Sequence, residues 1–178
     1  VNTGASVTLD MTLQDANVQG QGITIFTGDT TPQAADDTDF GAVQTSSGNV
    51  AHTFTIQNTG AADLNVTGVT SGGTNPGDFV VSGFTPGIIA ASGSTTFVVT
   101  FDPTADGART ATITVASDDP DEGSYTFDVT GQGTIIAGNP DSSVAVVGGV
   151  IVVTDLDGDR VDDDTLAITQ INPTTIQI

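Results

Sequence analysis

The chain has 178 residues with 22 acidic side chains against two arginines, no lysine and no cysteine, and a formal net charge of −20 at pH 7. Such a surface repels polyanions, which excludes nucleic acid and anionic membrane faces as partners, and the lack of cysteine excludes disulfides and thiolate metal sites. The length allows one good core and a smaller second module, and no apolar run approaches the ~20 residues that would insert across a bilayer.

The chain opens at Val1 without a signal-peptide pattern and reads as a processed, extracellular or cell-surface segment. Val7, Leu9, Met11 and Leu13 alternate with polar residues, which predicts a strand over 7–18 that belongs to no obvious sheet of its own. It is the candidate assembly strand. Residues Val18-Gln-Gly-Gln-Gly22 partly repeat the end of Ser124-Tyr-Thr-Phe-Asp-Val-Thr-Gly-Gln-Gly133, so they read as the ending of a preceding domain that the chain lacks.

From Ile23 to Gly133 the period is two almost throughout. Phe54 and Ile56 share one face, as do Phe97, Val99 and Phe101, then Ala111, Ile113 and Val115, and finally Tyr125, Phe127 and Val129. Turn clusters separate these runs at Asn58 to Asp63, Asn75-Pro-Gly-Asp78, Asp102 to Gly107 and Asp118 to Gly123. The expected fold class is all-β: an immunoglobulin-like β-sandwich over 23–133, with the shared faces turned inward.

The order Asp39-Phe40-Gly41, Thr53 to Gly60, Asp78-Phe79 and Thr96-Phe-Val-Val-Thr-Phe-Asp-Pro103 resembles the HYDIN/ASH-type immunoglobulin-like repeats, known in bacterial surface proteins as choice-of-anchor D. The likeness continues through Gly107 to Val115, Ser117-Asp-Asp-Pro120 and Tyr125 to Gly133. It implies a sandwich of seven to nine strands serving as a structural or adhesive repeat of secreted proteins. No catalytic residue comes with it, because the matching positions are core and turn residues.

Residues 134–178 depart from that pattern. Val144 to Val147 and Val150 to Val153, on either side of Gly148-Gly149, predict a β-hairpin. Two more short strands are expected at 166–171 and 174–178. Together they form a smaller β-module too slight to stand alone, which the strand over 7–18 would complete.

Between those strands lies Asp155-Leu-Asp-Gly-Asp-Arg-Val-Asp-Asp-Asp164, six aspartates in ten residues. Carboxylates at loop positions one, three and five converge on one side of a tight turn, as hard cations require. The spacing resembles the calcium loops of FG-GAP and thrombospondin type 3 repeats. That resemblance implies calcium held by the side chains of Asp155, Asp157, Asp159 and Asp163 and the carbonyl of Val161. Arg160 stands where glycine is common, and Leu166 stands where an EF-hand carries its bidentate acid. The competing reading is an acid-rich, solvated turn. Asp118, Asp119, Asp121 and Glu122 form a second acidic turn, read chiefly as solvated.

No enzymatic reading emerges. His52 is the only histidine and precedes a strand, no serine sits in Gly-x-Ser-x-Gly, and no helix pattern follows Gly131-Gln-Gly133 to make it a phosphate loop. Asn65-Val-Thr67 satisfies the glycosylation rule. The expected function is a secreted structural protein, the subunit of an extracellular fibre or the repeat of a large adhesin. Its partners would be other copies of itself, joined head to tail by strand exchange. The alternative is a monomeric adhesin module that binds carbohydrate or protein surface ligands.

Overall fold

The computed structural model describes residues 13–46 and 48–135 in full, and the backbone strands Ser142–Val147, Val150–Asp155, Thr169–Asn172 and Thr175–Gln177. The chain divides into two compact units, Val1–Ile135 and Ile136–Ile178.

The first unit follows from the alternation. One five-stranded sheet runs in the order β2 (Ile23–Ile25), β1 (Ala16–Gly20), β4 (Val50–Asn58), β8 (Ser94–Phe101) and β6 (Phe79–Ser82). The facing sheet runs β3 (Asp39–Gln44), β10 (Ser124–Thr134), β9 (Gly107–Ser117), β5 (Leu64–Gly72) and β7 (Gly87–Ile89). Every pairing is antiparallel except β3 with β10, which is parallel. Single turns of 3-10 helix at Ala34–Asp36 and Pro76–Asp78 are the helical pieces among the described residues.

Phe54, Ile56, Phe97, Val99, Phe101, Ile113, Val115, Phe127 and Val129 are all sealed inside, so the inward faces and the register of β8 are those expected. Each such side chain contributes about 1.5 to 3 kcal/mol through burial. Rings form two neighbouring groups: Phe54 lies 5.4 Å from Phe97 and 5.5 Å from Phe127, while Phe79 stacks on Phe101 at 4.7 Å. Gly131 makes room for this packing, since a Cβ there would lie 2.4 Å from the Phe101 ring.

The structure corrects the reading of residues 18–22. Val18 is fully buried in β1, which pairs with β4 over Ala16 to Gly20, so this segment is the first strand of the sandwich and the sheet begins ahead of Ile23. Gly20 faces Ile23 across a two-residue loop in which Gln21 has φ 51° and Gly22 φ 78°. Positive φ at both central residues is the hairpin turn whose twist matches the strands. The segment is not the ending of a preceding domain.

In the second unit the hairpin expected around Gly148-Gly149 is present: β11 (Ser142–Val147) pairs with β12 (Val150–Asp155), Val147 opposite Val150. A second antiparallel pair joins β13 (Thr169–Asn172) to β14 (Thr175–Gln177).

Candidate functional site

The turn between β9 and β10 gathers carboxylates where the chain enters the sandwich. Asp119, only 4 % exposed, accepts a 2.6 Å hydrogen bond from the Ala16 amide on one oxygen and bonds from the Asp121 and Glu122 amides on the other. Asp118 accepts from the Asn65 amide at 2.8 Å, and its carbonyl accepts from the Gln14 side chain. Asp15 holds Thr59 through its carbonyl and its carboxylate. The acidic turn is therefore a clasp that fixes the entering strand to the β4–β5 and β9–β10 connections.

Carboxylate oxygens of Asp15, Asp119 and Glu122 lie within 4.8 Å of one another. Partial burial raises the Glu122 carboxyl above its ordinary value, and the charges of Asp119, Asp121 and Asp15 push it further the same way. Asp121 is raised too, chiefly by its hydrogen bond with Asp119 and then by that residue's charge. A hard cation would relieve this repulsion, but calcium takes six to eight oxygens and these residues offer three side-chain carboxylates. Beside the cluster runs an open groove of about 360 Å³, lined by Asn17, Thr24, Phe26, Glu122 and Tyr125 among others. Phe26 is 74 % exposed there, whereas Tyr125 is buried and its hydroxyl donates to the Ile25 carbonyl.

Of the expected calcium ligands, Asp155 closes β12, and Asp157, Asp159, Val161 and Asp163 lie outside the described residues. Of the expected assembly strand, Val7, Leu9 and Met11 also lie outside them. Leu13 is 42 % exposed, and its carbonyl accepts from the Ala61 amide.

His52 stacks on Phe40 with ring centroids 4.2 Å apart and donates from Nδ1 to the Asp37 carbonyl at 2.7 Å, a packing role. The residue pair that the sequence hid is Asp78 with Arg109. The guanidinium Nε donates to one carboxylate oxygen, and the Thr104 amide and hydroxyl donate to the other. Because the chain has only two cations, the partner of a strand arginine was the signal that would have found it.

Residues 33–132, more than half of the chain, match the HYDIN/CFA65/VesB-like, Ig-like domain. The chain belongs to this family. No curated protein matches it. Among solved structures, a Porphyromonas gingivalis W83 protein of unknown function is 18 % identical, with a TM-score of 0.49, over 71 % of this chain and 50 % of its own. The chain thus spans about half the length of that relative. The seventh PapD-like domain of human CEP192 is 14 % identical at a TM-score of 0.45, over 76 % of this chain and 95 % of the domain. VesB protease of Vibrio cholerae is 17 % identical at 0.42, over 67 % of this chain and 31 % of the protease. At these identities the likeness concerns the fold alone. No helix among the described residues is long and apolar enough to cross a membrane.

Proposed function

We propose that this chain is a non-catalytic, in-line structural module of a secreted or surface protein, a fibre subunit or adhesin repeat whose copies join head to tail. The observation that carries this reading is where the chain enters and leaves the sandwich. It enters at Ala16, beside Asn58 and Asp119, and leaves at Thr134, beside Gln44, with Gly133 packed under the Ala105 carbonyl. The eleven residues of β10 separate these ends, a span of about 35 Å at strand rise.

Force or linkage applied through the two ends runs along the strands, so modules joined this way extend in a line. Membership in an immunoglobulin-like family made of core and turn positions supports a structural role and brings no catalytic group. The alternating segment with Val7, Leu9, Met11 and Leu13 would supply the joining strand to β-structure in 134–178 of the next copy. Such a heterologous contact does not close, and it yields filaments. Calcium at Asp155, Asp157, Asp159 and Asp163 would stiffen the second unit.

Electron microscopy of the purified chain, with calcium and with chelator, tests the proposal. Filaments with an axial repeat of at least about 35 Å are expected. Globular monomers under both conditions would reject head-to-tail assembly. An activity in which a nucleophile of the described residues turns over would reject the non-catalytic role.

A further inference from the structure

The 22 acidic residues are not evenly spread. From Phe79 to Phe101, 23 consecutive residues carry no ionisable side chain at all; the equally long stretch from Phe40 to Ala62 holds no acid or arginine but includes His52. The fold places this run along one side of the sandwich: β6 is the edge of the first sheet, β7 the edge of the second, and β6 lies against β5, the neighbour of β7. Val80 is 52 % exposed there and Ile88 69 %.

An edge strand turns the N–H and C=O of alternate residues outward, and proteins guard such edges with charge, proline, bulges or brevity. β3, the longest edge, carries Asp39, a Gly41 at φ 67° and a register shift against β10. β7 is three residues long and follows Pro86, and β2 is also three residues long. β6, Phe-Val-Val-Ser, has none of these guards beyond its modest length.

We propose that the uncharged β6 edge is a docking surface for a second copy of this chain, sheet edge against sheet edge, with Val80 at its centre. Charge selects the occupant. Two copies at −20 repel across most of their surfaces, and this side lets them meet without bringing carboxylates together. Pairing β6 with β6 of the second copy would satisfy outward backbone groups on both and cover Val80 twice. The contact joins sandwiches side by side and does not depend on how the chain ends are linked.

Sedimentation of the whole chain up to about 1 mM, at low and high salt, tests this. Expected is side-by-side pairing, read as a dimer or, where copies also join head to tail, as paired filaments, which tightens as salt rises because screening removes the general repulsion and no ion pair is lost. Val80→Asp should weaken it about tenfold or more, since it sets like charges face to face. Phe26→Asp, at a still more exposed apolar position outside this edge, should leave it unchanged, and melting curves would confirm that both variants fold. A head-to-tail joint does not involve Val80, so Val80→Asp would unpair filaments without shortening them, which separates the two contacts. A monomer at every concentration, an association indifferent to Val80→Asp, or one abolished equally by Phe26→Asp would each overturn the proposal.

Discussion

Arg109 is one of two cations in a chain of net charge −20, and its half-buried side chain reaches a carboxylate, Asp78, that is almost fully buried. Burial works against an ionised Asp78, but the hydrogen bonds from Arg109 and Thr104 and the arginine's charge outweigh it, leaving the carboxyl below its ordinary 3.8. A depressed carboxylate contributes stability above its unfolded pKa and loses it as pH falls through the lower folded value. Arg109→Ala should therefore cost about 3 kcal/mol at neutral pH, because it strands a buried charge. It should also move the acid-unfolding midpoint upward, which denaturant melts across a pH series would register. Glu122 works in the opposite sense. Its folded pKa stands above the ordinary 4.5, so its charge opposes folding at neutral pH, and that cost fades as pH drops through the folded value. Glu122→Gln should raise Tm at pH 7 and leave it unchanged below about pH 4. Equal effects at both pH values would mean that the carboxylate cluster carries no net repulsion.

At the scale of elements, the alternation of Phe97, Val99 and Phe101 made the core faces legible, because a period of two leaves each strand only two choices and one of them buries polar side chains. The same local reading failed at β1. Gly-Gln-Gly lies wholly within β10 but only begins in β1 and runs on into its hairpin loop, and it does different work in each place. In β10, Gly131 admits the Phe101 ring and Gly133 the Ala105 carbonyl; around β1, Gly20 admits the Asp36 carbonyl and Gly22 turns the hairpin. What packs over a glycine comes from elsewhere in the chain, so the letters alone could not assign the segment. The clasp was hidden for the same reason, since Ala16 and Asp119 meet across 103 positions. Gly131→Ala should cost about 1 to 3 kcal/mol by overpacking, and Phe101→Ala about 3 to 5 kcal/mol by leaving a cavity. Together they should cost less than the sum, because the new methyl then enters space that the ring has vacated. Additive losses in denaturant melts would show that Gly131 matters for some reason other than the ring.

For the whole molecule, the decisive boundary lies between Leu13 and Ala16. Gln14 and Asp15 are tied to Asp118 and Thr59, and from Ala16 onward the chain is core strand, so the segment available for exchange with another copy ends ahead of Gln14. Removing residues 1–12 should leave the sandwich folded while abolishing filaments, if Val7, Leu9 and Met11 form the joining strand. Removing residues 1–18 should do something different. It deletes Ala16 and Val18 from the core, breaks the Ala16–Asp119 bond and strips β4 of most of its β1 partner. A loss of several kcal/mol is then expected from a domain whose whole stability is about 5 to 15 kcal/mol. Circular dichroism melts read the folding and electron microscopy reads the assembly, so the two deletions separate them. Filaments that persist without residues 1–12 would remove the joining role from this segment. If assembly survives there but is lost with Asp157→Ala and Asp159→Ala, the acidic loop of the second unit would be the joint instead, and calcium rather than a strand would set the length of the fibre.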